Sequence, residues 1–161
     1  MTDSKKVLIL GPAHPYRGGI AAFNERLAKE LHNQGHEVII FNFKFQYPNF
    51  LFPGKQQFTD GPSPQDLEIL RVVHSINPFN WLVVRQKIIK YRPDLIICGY
   101  WLPLMSPCFS SVLHGLKSKI RVIGILHNVK PHESRIGDHL FTKVFLKRLN
   151  EAVVLSNAVE L

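Results

Sequence analysis

Apolar runs of strand length alternate with segments of helical period along most of this chain. Residues 7–10, 36–43, 94–100, 121–127 and 151–156 carry near-continuous Val, Ile, Leu and Phe and read as strands. Ile20, Phe23, Leu27 and Leu31 recur at helical spacing, and Gly35 closes that helix. Asn77 or Asn80 caps a second helix that runs to about Tyr91. Pro93 ends it, because the residue before a proline avoids the α region. Pro103 or Pro107 opens a third, ending near Gly115 to Lys117. Asp138 to Leu149 forms a fourth, with Leu140, Val144, Phe145 and Leu149 facing inward. Residues 66–74 read as a short helix or a strand, and residues 44–66, rich in Pro and Gly, as a long loop. Strands apolar on both faces cannot stand beside water. The pattern therefore predicts an α/β fold, Rossmann-like and doubly wound, with a mostly parallel sheet covered on both sides.

Composition narrows the class. The chain has 161 residues, the size of one domain, and 45% are hydrophobic, enough for a core. No run has membrane-span length, and Met1 to Lys6 lacks a signal-peptide layout. Cys98 and Cys108 have no zinc spacing and fit a reducing compartment, so the expected location is cytoplasmic. The formal net charge is +8. Residues 81–130 hold most of the excess, with eight Lys or Arg against Asp94. Those cations fall at strand starts and helix ends, which form one rim of a doubly wound sheet, away from the ligand rim. The placement argues against nucleic acid as a partner. The aromatic and basic stretch from Phe41 to Phe52 suits a membrane interface and peripheral contact at the inner face, against the alternative that several of these aromatics pack under the loop or end the second strand.

Chemistry collects on the other rim, beyond the strand C-termini. The first strand leads into Arg17, Gly18 and Gly19, where bare backbone N–H groups at a helix start suit a phosphate. The glycines are too far from Gly11 for a dinucleotide fingerprint, and no P-loop lysine follows. Later strands deliver Tyr100 and Trp101, then His127, Asn128, His132 and Glu133, then Ser156. His127 stands out because it ends a buried strand. The rim has few acids, Glu133 and Asp138, which weighs against the paired-carboxylate chemistry of a glycoside hydrolase.

Pro15-Tyr-Arg-Gly-Gly-Ile-Ala-Ala-Phe, His36-Glu-Val, Ile125-Leu-His-Asn-Val-Lys-Pro-His-Glu and Ala152-Val-Val-Leu-Ser-Asn occur in this order. The set resembles family-4 glycosyltransferases of the GT-B fold, over their N-terminal domain. The resemblance implies retaining transfer of a sugar from a nucleotide-diphosphate donor to a carbohydrate or lipid-linked acceptor. It implies His127 as the catalytic contact to the transferred sugar, and Arg17, Gly18 and Gly19 at the donor diphosphate. Tyr100, Trp101, Asn128, His132, Glu133 and Ser156 are then expected around the substrates. No metal or other cofactor is expected. Leu161 follows the cap residue Asn157 by four positions, which predicts that residues 1–161 precede a donor-binding domain and are inactive alone. The competing expectation is a non-catalytic Rossmann-like or flavodoxin-like binding module.

Overall fold

A computed structural model describes residues 3–46, 57–127 and 137–155. The elements run β1 (Lys6–Leu10), α1 (Gly19–Asn33), β2 (Glu37–Phe45), β3 (Glu68–His74), α2 (Pro78–Tyr91), β4 (Leu95–Tyr100), a 3-10 turn (Pro103–Met105), α3 (Ser106–Val112), β5 (Arg121–Leu126), α4 (Asp138–Leu146) and β6 (Glu151–Val154). The strands form one six-stranded sheet in the order β3-β2-β1-β4-β5-β6, and every pair is parallel. The order turns back between β1 and β4, the position where ligands settle in open α/β sheets.

The pleat sorts each strand onto two cores. Val7, Ile9, Ile40, Ile97 and Ile125 face α1, where Ala28, Phe23 and Leu27 meet them. Leu8, Leu10, Ile96, Cys98, Val122 and Leu126 face the other way, onto Val84 and Ile88 of α2, Phe109 and Val112 of α3, and Phe145 of α4. Both faces are therefore dry over β1, β4 and β5, which explains their unbroken apolar runs, whereas β6 at the sheet edge is exposed along its length. Cys98 and Cys108 are free and buried, and burial pushes both thiols up, that of Cys108 to about 12.

Local signals set the helix ends. Gly35, at φ 91°, lets its N–H reach His32 O and that of His36 reach Leu31 O, a Schellman close to α1. Asn77 is the cap of α2, accepting from the Asn80 N–H at 3.2 Å. Asn80 instead ties α2 to β3, accepting from the His74 N–H and donating to Val72 O.

Of the two readings of residues 66–74, helix or strand, the strand holds, over 68–74, and its mixed pattern reflects its edge position, with Leu70 exposed. Two expectations need correction. The stretch 44–66 is not one free loop. Lys44 and Phe45 continue β2, while Phe58 bridges Tyr16 and the Thr59 N–H bonds Pro15 O. Residues 47–56 lie outside the described residues. Leu140 faces water rather than the core, because α4 ends at Leu146 and buries Thr142 and Phe145 instead.

Candidate functional site

His127 continues the α1-facing series Ile123, Ile125 one step past β5. Its backbone N–H bonds Tyr100 O at 2.8 Å, so the sheet ladder fixes its position. Its ring meets Phe23 of α1 edge-on, with centroids 5.0 Å apart. Burial holds its pKa below the usual imidazole value, so the ring is neutral at neutral pH.

Beside it, α1 turns Ala21, Asn24 and Ala28 toward the sheet, at one-turn spacing. Asn24 fits there because two strands end in bare backbone. A Cβ on Gly11 would stand 2.7 Å from the Asn24 amide nitrogen. The Asn24 Nδ2 donates to Pro12 O at 2.9 Å, but its Oδ1 is buried with no partner. His127 Nε2 is likewise buried with no partner. Both atoms stand over Gly99, where a Cβ would lie in ordinary contact, 3.5 Å from Asn24 Oδ1 and 3.7 Å from His127 Nε2. Buried polar atoms normally find partners. An incoming hydroxyl satisfies this pair if it donates to Oδ1 and accepts from Nε2–H, which selects that tautomer of His127.

The glycine loop lies at the same rim. Gly18 (φ 124°) caps α1, and a Cβ on Gly18 or Gly19 meets nothing within 4 Å, so their backbone is open on the outside. No acid stands in the first turn of α1, leaving the helix-start N–H groups to an anion. Arg17 is exposed beside them. The loop itself is fixed. The Arg17 N–H donates to Gln57 O at 2.8 Å, and Tyr16 is buried against Phe43 and Phe58. Asn42, alone among the apolar residues of β2, accepts from the Ala13 N–H and donates to Ala13 O and His14 O.

His127, Gly18, Gly19 and Arg17 share the rim at the β1–β4 turning point. Tyr100 does not face it. It is 0% exposed, stacked on Phe145 at 4.4 Å, with its hydroxyl 2.9 Å from both Ser106 Oγ and Thr142 Oγ1. Trp101 is half-buried, its ring edge-on to Phe43 and Phe109. The aromatic stretch proposed for a membrane is also partly core, since Phe41 and Phe43 are buried in the sheet. Asn128, His132, Glu133 and Ser156 lie outside the described residues. Among the described residues, no three His, Cys, Asp or Glu gather as metal ligands. Asn24, Asn42 and Gly99 escaped the sequence reading. Their one signal was a polar or bare residue inside an otherwise apolar pattern.

The family model described as Glycosyltransferase Family 4 matches residues 17–160. No curated protein matches this chain. Among solved structures, an alpha-glucosyltransferase in complex with UDP and a 13-mer DNA containing a central A:G mismatch is similar at TM-score 0.60 and 13% identity. The match covers 98% of this chain and 38% of that one. The catalytic domain of Starch Synthase IV from Arabidopsis thaliana, bound to ADP and acarbose, is similar at TM-score 0.53 and 16% identity, over 79% of this chain and 34% of that one. This chain therefore spans little more than a third of the structures it resembles, and at such identities the likeness is one of fold.

Proposed function

Because this chain belongs to Glycosyltransferase Family 4, we propose that it is the acceptor-side domain of an enzyme that moves a sugar from a nucleotide-diphosphate donor, with retention, to a carbohydrate or lipid-linked acceptor. The observation that carries this reading is the pair of unpartnered buried atoms, Asn24 Oδ1 and His127 Nε2, at the turning point of the sheet. They match one sugar hydroxyl. The open N–H groups at Gly18 and Gly19, with Arg17, suit the diphosphate. Charge grows on the leaving diphosphate as the glycosidic bond lengthens, so fixed N–H groups and a cation stabilise the transition state more than the ground state. The neutral His127 does the same for the polarising sugar ring. The UDP and ADP in the similar structures belong to those proteins, and a nucleotide donor for this chain is consistent with them.

Two outcomes test the reading. Gly99→Ala places a methyl at ordinary contact distance from both Asn24 Oδ1 and His127 Nε2, against the approach that a hydroxyl would take to them. In the whole protein it is expected to lower kcat/KM by about tenfold or more, the cost of a blocked hydrogen-bonded subsite, and to change stability by about 1 kcal/mol or less. Unchanged kcat/KM removes the subsite. Residues 1–161 alone are expected to release no nucleoside diphosphate from a nucleotide sugar, because the donor site is shared with a second domain. Turnover by these residues at the rate of the whole protein overturns the split site.

A further inference from the structure

The face of the sheet opposite Asn24 carries α2, α3 and α4, with α3 touching both neighbours. Between them lies a groove of about 470 Å³. At its base Ser110 is 5% exposed, and its Oγ is buried with no partner. Arg85 of α2 and Arg148, just past α4, line the groove from two sides, and the Nε of each is also buried with no partner. None of the described lining residues is Asp or Glu. Two fixed cations and a hydroxyl thus share one recess with no internal counter-charge.

The lips of the groove have the opposite character. Leu82 is 58% exposed, Leu140 62% and Phe141 40%. Exposed apolar surface continues along α2 to Val83 and Phe79, the latter 82% exposed. Lys87, Lys143 and Lys147 stand exposed on the same two helices or just beyond. Apolar side chains held in water around a basic recess are unusual for a surface with no partner.

We propose that this groove docks the phosphate headgroup of an anionic phospholipid at a bilayer surface. The phosphate oxygens accept from the Arg85 and Arg148 Nε–H groups and from the Ser110 hydroxyl, in the fork geometry that guanidinium offers to phosphate. Leu82, Leu140 and Phe141 then enter the acyl boundary, and the surrounding lysines meet neighbouring headgroups. A free phosphate would satisfy the base of the groove and leave its lips wet, so the lipid is the occupant that uses both. Among the described residues no helix is long and apolar enough to cross a membrane, and the contact proposed is with its surface. The inference stands apart from the transferase reading, since none of these residues belongs to the His127 site.

The test is co-sedimentation of the chain with phosphatidylcholine vesicles, with and without phosphatidylglycerol, at constant ionic strength. Pelleting is expected only when phosphatidylglycerol is present. Arg85→Gln/Arg148→Gln is expected to weaken it by about tenfold or more, the loss of two cations at an anionic surface. The exposed pair Leu140→Ser/Phe141→Ser is expected to weaken it similarly, and keeps the test open if the arginine pair fails to fold. Matched circular-dichroism melts qualify each variant. Equal pelleting on neutral vesicles, full binding by both double variants, or competition by inorganic phosphate without any vesicle binding would each overturn the proposal.

Discussion

His127→Ala is expected to lower turnover of the whole protein by about 10²-fold or more, the effect of removing a positioned polar group from a developing charge. The fold should hardly notice. The residue's place in the sheet is set by its backbone N–H on Tyr100 O, which alanine keeps. Its side chain contributes one edge-on contact with Phe23, and its Nε2 makes no hydrogen bond whose loss could destabilise the chain. A stability change of about 1 kcal/mol or less follows. Steady-state kinetics paired with denaturant melts separate the two effects. Near-normal turnover, or unfolding that accounts for the lost activity, would make His127 a structural strand-end residue.

Tyr100→Ala gives the reverse result. It removes a fully buried ring stacked on Phe145 and a hydroxyl that joins β4 to Ser106 at the start of α3 and to Thr142 of α4. The expected loss is about 3–5 kcal/mol, as for other core aromatic truncations. Tyr100→Phe keeps the ring and leaves two hydroxyls without their shared partner, at a cost of about 1–2 kcal/mol. Its kcat/KM should match the parent, since nothing near the His127 site changes. Urea melts read the first effect and kinetics the second. A stable Tyr100→Ala with impaired substrate binding would return Tyr100 to the ligand rim.

The contrast between these two residues shows what the amino-acid pattern carries and what it hides. Both stand where a strand ends, and position alone puts both at the functional rim. Pleat parity separates them. Tyr100 follows Ile96 and Cys98 onto the α3 side, whereas His127 follows Ile123 and Ile125 onto the α1 side. The alternation is written in the chain, but which face holds the crevice depends on the crossover of α1 and α3 to opposite sides. Strands β1, β4 and β5 were legible because burial on both faces leaves nothing but apolar residues. Edge strand β3 was not, because Leu70 and its neighbours meet water. Asn24 and Asn42 were visible as polar interruptions. Their partners, Pro12 O in one case and the Ala13–His14 backbone in the other, are brought near by the tertiary fold alone.

Sugar transfer and mere sugar binding by this chain differ in one observable, turnover of the donor. The most direct test incubates the whole protein with α-linked nucleotide-diphosphate sugars and carbohydrate or lipid-linked acceptors, and follows both the released nucleoside diphosphate and the anomeric configuration of the glycosylated acceptor by NMR. Nucleoside diphosphate release and a transferred sugar that keeps its α configuration are expected. A protein that binds a nucleotide sugar and acceptor yet releases no nucleoside diphosphate overturns the transferase reading, whereas an inverted product keeps the transfer and overturns retention.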